Sequence, residues 1–194
     1  MRCWKSSLDQ ENSDITTSLI LFHQAVYVAI ERHTSSDHKR EVGGFLCGLP
    51  GRTPGGRLHC VIQGHIPARY THNGPTHVTF TSNTLIEAHE QLNRDFPGQE
   101  IVGWYHTHPG LSLFLSSFDV WLHSHFFPKP WQVALVIDPI AGEGGFFCYE
   151  NSWDRYVHPH RYRGFYELGN DYKNSVVRWK NLREEAVEQE NLSA

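Results

Sequence analysis

Val133-Ala134-Leu135-Val136-Ile137 is an unbroken apolar run, with Pro130 before it and Pro139 after it. Successive side chains of a strand point to opposite faces of its sheet, so a run that is apolar at every position predicts a central strand covered on both sides. Around it the 194 residues are room for one domain of ordinary size, or one with a tail. The remaining pattern supplies both strands and helices. Leu19 to Phe22 reads as a strand or as the first turn of the helix that follows, in which Val26, Ala29, Ile30 and His33 recur at helical spacing until Ser35-Ser36-Asp37 ends it. Gly43 to Gly48 and Leu58 to Ile66 read as strands joined by the turn-rich stretch from Pro50 to Gly56, and His77 to Phe80 as a third. A helix then places Leu85, Ile86, His89, Leu92 and Phe96 on one face, with Thr84 and Glu87 at capping-box spacing, until Pro97-Gly98 stops it.

Ile101 to His106 reads as a buried strand, Ser116 to Phe126 as a helix ended by Pro128, and Gly145 to Tyr149 and Tyr162 to Tyr166 as further strands. From Tyr172 onward, charges surround Val176, Val177 and Leu182, which predicts a terminal helix, docked on the body or offered to a partner. The acidic run Glu184, Glu185, Glu188 and Glu190 reads as its solvated face. The expectation is an α+β fold with a mixed sheet: a loose polar segment over 1–16, a single domain over 17–168 and a helical extension over 169–194.

Composition narrows the function. A formal net charge of −4 and a pI near 6.4 exclude a general nucleic-acid binder, which would carry a basic excess. Cys3, Cys47, Cys60 and Cys148 lie far apart with no CxxC pair, so they form neither a disulfide framework nor an all-cysteine zinc site. Cys47 and Cys148 read as small buried hydrophobes. Acidic Asp9, Glu11 and Asp14 follow Arg2 and Lys5, unlike a signal peptide, and the apolar stretch from Leu19 to Ile30 is broken by His23 and Gln24 and too short for a bilayer. A soluble, reducing, cytoplasmic setting with no membrane partner is expected. Fourteen histidines permit metal or acid–base chemistry.

The informative stretch is Trp104-Tyr105-His106-Thr107-His108-Pro109, followed by Ser116-Ser117-Phe118-Asp119. His106 and His108, two apart at a strand end, project to one face. Pro109 turns the chain, and Asp119 lies in the first turn of the next helix. Two imidazoles and a carboxylate with one open position make the donor set of a catalytic zinc, whose fourth ligand is water. A closed structural site would want a fourth ligand, usually with cysteine, and none is near in sequence. Such a site also needs a base, and Glu41 stands just before the Gly43–Gly48 strand.

Glu41, the His106-Thr107-His108-Pro109 run, Ser116 and Asp119 resemble the JAMM (MPN+, JAB domain) metalloprotease motif: an upstream Glu, then HxHP, then Ser-x-x-Asp. The flanks agree, with Glu41-Val42-Gly43-Gly44-Phe45-Leu46-Cys47-Gly48 similar to the first motif and Gly103-Trp104-Tyr105 to the lead-in to the histidines. The resemblance implies an MPN/JAB-type, cytidine-deaminase-like mixed sheet flanked by helices. It also implies one zinc ion (Zn2+) per chain, held by His106, His108 and Asp119. Glu41 takes the role of general base and proton shuttle, and Ser116 that of a group holding the tetrahedral intermediate. The implied activity is removal of ubiquitin or a ubiquitin-like protein from a lysine, or trimming of its C-terminal glycine tail.

Two alternatives stay open: a peptidase maturing a sulfur-carrier-like protein, and a catalytically silent scaffold, against which the complete five-residue set argues. The short chain resembles stand-alone prokaryotic members, some of them encoded beside a ubiquitin-like protein and its activating and conjugating enzymes in systems linked to phage defence. Three local features complete the expectations. His158-Pro159-His160 resembles half of a second zinc site whose cysteine is missing. Glu150 to His160, with Trp153, Tyr156 and Val157, reads as a flap over the substrate tail. His123 and His125 read as surface or supporting residues, because at i+4 and i+6 from Asp119 they do not converge with it as a ligand set.

Overall fold

The apolar run at Val133 lies inside a nine-stranded sheet of the computed structural model, which describes residues 1–9, 18–68, 71–74, 77–150, 157–169 and 172–186. In chain order the elements are β1 (Arg2–Ser6), β2 (Leu19–His23), α1 (Gln24–Thr34), β3 (Gly43–Arg52), β4 (Leu58–Pro67), β5 (Thr71–Gly74) and β6 (His77–Phe80). They continue with α2 (Ser82–Asp95), β7 (Glu100–Thr107), α3 (Ser117–Phe126), β8 (Val133–Asp138), β9 (Glu143–Cys148), β10 (Phe165–Leu168) and β11 (Leu182–Glu185). The sheet runs β11-β1-β10-β2-β4-β3-β7-β8-β9, with β5 and β6 as a separate hairpin. It is mixed: β10–β2, β2–β4 and β7–β8 are parallel and the other pairs antiparallel. Among the described residues no helix is long and apolar enough to cross a membrane.

Every residue of β8 is buried, as an apolar run of period one requires. The strand feeds two cores. Val133, Leu135 and Ile137 join Phe22, Tyr27 and Ile30 on the α1 side, while Ala134 and Val136 join Phe45, Trp104, Leu92 and Leu122 on the side of α2 and α3. Leu19 to Phe22 is a strand, and the helix begins only at Gln24. The cap of α2 lies one turn before the expected Thr84–Glu87 pair: the Thr81 side chain accepts from the Thr84 N–H, Thr84 is buried inside the helix, and Ile86 is exposed.

The two ends of the chain differ from expectation. Arg2–Ser6 is not loose but a strand, paired with β10 on one side and β11 on the other. The stretch after Tyr172 forms no helix among the described residues. Val177 and Trp179 are buried while Arg178 and Lys180 are exposed, an alternation of two. Backbone N–H groups there bond to distant acceptors instead of carbonyls four residues back: Val176 to Glu167 Oε1 (3.0 Å), Arg178 to Tyr27 Oη (2.8 Å) and Lys180 to the Gly142 carbonyl (2.9 Å). Charges between apolar residues misled the helical reading because the apolar side chains are anchored individually. Glu188 and Glu190 lie outside the described residues.

Candidate metal centre

Strand pairing brings the distant acid to the histidines. In the β3–β7 register Gly43 lies opposite His106, so Glu41, two residues earlier, reaches the end of β7. Thr107 locks this join: its N–H donates to the Val42 carbonyl (2.9 Å), and its Oγ1 accepts from the Val42 N–H (2.9 Å). Gly44 is needed there, since a Cβ would collide with the Ile66 carbonyl and come within 2.7 Å of the Tyr105 ring. His106 and His108 alternate onto one face, and the His108 N–H is held by the Ile137 carbonyl at the end of β8 (2.8 Å). Asp119 arrives from the first turn of α3, whose N-cap is Ser116. The pair forms a capping box. Ser116 N–H and Oγ–H both donate to Asp119 Oδ2 (2.8 and 2.6 Å), and Ser116 Oγ accepts from the Asp119 N–H (3.2 Å).

The three side chains converge, all buried, with ligand atoms within 4.8 Å of one another. His106 Nε2 and His108 Nε2 are 3.0 Å apart, His106 Nε2 is 3.6 Å from Asp119 Oδ1, and His108 Nε2 is 3.9 Å from Asp119 Oδ2. Atoms about 2.0–2.2 Å from one tetrahedral ion lie roughly 3.3–3.6 Å apart, so the donor set and its spacing fit a zinc ion after small side-chain adjustment. Burial and then the neighbouring His106 push His108 down to about 4, against the pull of Asp119, the Ser112 backbone and Asp138, which leaves a neutral imidazole. Burial raises the pKa of Asp119, but His106 and the Ser116 hydrogen bonds outweigh it and hold the carboxylate well below its usual range. A metal needs both groups deprotonated. Glu41, equally buried, stands at the rim with Oε1 4.0 Å from His108 Nε2.

The sequence pattern of the family described as JAB1/Mov34/MPN/PAD-1 ubiquitin protease matches residues 16–127, more than half of the chain. The chain belongs to this JAB family. An archaeal relative, the NAD(+) hydrolase TcpA of Theionarchaea archaeon, is 34% identical over 123 residues, covering 61% of this chain and 34% of that protein. The STAM-binding protein of Rattus norvegicus is 31% identical over 132 residues, 68% of this chain and 29% of that one. The ubiquitin carboxyl-terminal hydrolase RPN11 of Saccharomyces cerevisiae is 40% identical over 62 residues, 31% of this chain and 19% of that one. The matches thus span 34% or less of these relatives' length. The solution structure of protein DSY2949 from Desulfitobacterium hafniense shares the fold, with a TM-score of 0.54 at 16% identity, covering 77% of this chain and 92% of that one.

Several parts of this JAB-family site were not legible as motifs. Asp138, at the end of β8, accepts from the N–H groups of Gly110 (2.9 Å), Ile140 (3.0 Å) and Ala141 (3.0 Å) on Oδ1 and of Ser112 (3.2 Å) on Oδ2. It thereby ties down the loop between His108 and Ser116. Its one sequence signal is a carboxylate closing an apolar strand before Pro139. His123, expected at the surface or in support, is fully buried, and its Nδ1 accepts from the Trp104 indole N–H at 3.0 Å. His125 is exposed, with its ring Nδ1 2.7 Å from the Trp121 carbonyl oxygen.

His158 and His160 lie with ring centroids 6.4 Å apart, and among the described residues no further His, Cys, Asp or Glu joins them in a metal-ligand group. Of the expected flap, residues 151–156 lie outside the described residues. At its far end Val157 is buried, and the Pro159 carbonyl accepts from the Leu115 N–H (2.7 Å), next to Ser116. Cys47 and Cys148 are buried free thiols, and burial pushes them up to about 12 and about 11, so they are inert at neutral pH.

Proposed function

We propose that the protein is a zinc-dependent isopeptidase that cleaves after the C-terminal glycine tail of ubiquitin or a ubiquitin-like protein, acting on lysine conjugates or on precursors. The observation that carries this reading is the buried His106–His108–Asp119 cluster with the Glu41 carboxyl 4.0 Å from His108 Nε2. A zinc ion there would be held by His106, His108 and Asp119 and would supply Lewis acidity that lowers the pKa of water toward about 7. Glu41 accepts the proton of the attacking water on its carboxylate and delivers it to the Nζ of the departing lysine. Ser116, beside Asp119, turns its hydroxyl to the oxyanion as charge develops, a contribution often worth a few kcal/mol.

Membership of a ubiquitin protease family and likeness to a ubiquitin carboxyl-terminal hydrolase support this substrate class. The activity named for the archaeal relative belongs to a protein two-thirds of which lies outside the match, and the site argues for carbonyl hydrolysis instead. Four buried free cysteines fit a reducing cytoplasm. Activating and conjugating enzymes of the same ubiquitin-like system, of the kind linked to phage defence, are the partners this reading implies. The test combines elemental analysis with cleavage of two substrates, a lysine-linked ubiquitin-like conjugate and a linear precursor extended beyond its diglycine. About one zinc per chain is expected, with release of the free modifier and of its target carrying an unmodified lysine. Cleavage of the precursor alone identifies a maturation peptidase. Stoichiometric zinc without cleavage of either overturns the isopeptidase reading.

A further inference from the structure

A metal-ligating histidine is ordinarily oriented by a hydrogen bond from its second ring nitrogen. His106 is different. Its Nδ1 is buried and has no hydrogen-bond partner among the described residues. Beside the neighbouring His108 ring, at 4.7 Å, its face is covered by the Trp104 indole, stacked on it with centroids 4.6 Å apart and planes 9° from parallel. Trp104 and His106 are two apart on β7, so both project to the same face. The indole is held in turn by three contacts: the face of Phe127 (5.9 Å, 18°), the edge of Phe80 (5.8 Å, 86°) and its N–H to His123 Nδ1 (3.0 Å). Only the last is directional enough to set the rotation of the indole about its own plane.

His123 accepts that bond only as a neutral imidazole with its proton on Nε2, and burial, pushing its pKa down to about 3, keeps it neutral. The residue stands one helical turn after Asp119 on α3, on the buried face they share with Leu122. One helix thus carries a ligand and, four residues on, the anchor of a second ligand's support. We propose that His123 is a positioning residue for the metal ligand His106, acting through the Trp104 indole. The proposal rests on the zinc reading above and deepens it: removing His123 loosens the ring plane of His106 without touching the ion.

The test uses zinc-loaded full-length protein and follows zinc release to a chromogenic chelator, together with the visible d–d spectrum of the cobalt(II)-substituted form. His123→Leu, similar in bulk but with no acceptor, is expected to speed zinc release by roughly 10–100-fold, the usual loss when a partner behind a ligand is removed, and to shift the cobalt bands. His123→Asn, whose Oδ1 falls near the position of Nδ1, is expected to restore most of the wild-type rate. Trp104→Phe keeps a stacking ring but loses the N–H donor, so it should loosen zinc as His123→Leu does, with no further loss in the double variant. It also serves as the alternative probe if His123→Leu does not fold. Wild-type release rate and cobalt spectrum in the folded variant overturn the positioning role and leave the zinc reading intact. Failure of the wild-type protein to bind zinc overturns both.

Discussion

Glu41 is as buried as the two imidazoles and Asp119, yet its Oε1 stands 4.0 Å from His108 Nε2, beyond the ligand cluster. Only His106, His108 and Asp119 form the ligand group among the described residues, and one isosteric change distinguishes a base beside it from a further ligand. In Glu41→Gln the amide cannot take the proton of water, so turnover should fall roughly 10²–10⁴-fold. Zinc content measured by elemental analysis should be unchanged, and the variant should retain an uncut conjugate in a pull-down. Full activity in the variant would refute the role, and loss of zinc together with activity would place Glu41 in the coordination shell. Ser116 is tied differently: its hydroxyl is already donated to Asp119 Oδ2 (2.6 Å), so its help to an oxyanion requires that bond to be exchanged.

At the scale of elements the site is a joint among β3, β7, β8 and α3. The loop from Pro109 to Leu115 links two ligand-bearing elements and contains two positive-φ residues, Gly110 and Ser112. Its shape is held from outside by Asp138, which satisfies four backbone N–H groups, and by the Pro159 carbonyl on Leu115. Removing a buried acceptor orphans its donors at a cost of about 1–3 kcal/mol each when they stay dry. Asp138→Ala is therefore expected to lower unfolding free energy by at least about 2 kcal/mol in urea titration and to speed zinc release, because both His108 and Ser116 border the loosened loop. Asp138→Asn, which keeps one carbonyl oxygen, should fall between. An Asp138→Ala protein that unfolds and holds zinc like the wild type would show that the loop keeps its shape without the carboxylate.

At the scale of the molecule, Glu167 joins pieces far apart in the chain. Its carboxylate accepts from Trp4 Nε1 (2.9 Å), Gln24 Nε2 (2.8 Å), Ser175 Oγ (2.7 Å) and the Val176 N–H (3.0 Å), and so connects β1, α1, β10 and the stretch leading to β11. Burial raises its pKa, but these donors outweigh burial and hold it below the ordinary glutamate value. A carboxyl depressed in the folded state contributes stability that is present above its unfolded pKa of about 4.3 and is lost as pH falls through the lower folded value. Glu167→Gln should thus be less stable than wild type at pH 7, and the difference should shrink as pH drops below about 4. Urea midpoints at several pH values measure this, and a difference that stays constant with pH would show that the charge is not what binds these segments.

What the sequence determined by itself was whatever depends on near neighbours. The apolar period of β8, the alternation that sets His106 and His108 on one face, and a helix starting at Ser116 that carries Asp119 in its first turn all follow from spacings of a few residues. The family motif added Glu41 to this set, but only the β3–β7 register, with Val42 and Thr107 joined across 65 residues, explains how that side chain reaches the histidines. Tertiary structure alone decided the fate of the two ends. Val176, Val177 and Leu182 among charges fit a helix as readily as an extended segment, and the choice fell to Glu167, Tyr27 and the free edge of β1, acceptors that no local pattern displays. The Trp104–His123 bond was invisible for the same reason. Hydrogen bonds between side chains distant in sequence leave no period to read, so they emerge only when packing brings donor and acceptor together in a place without water.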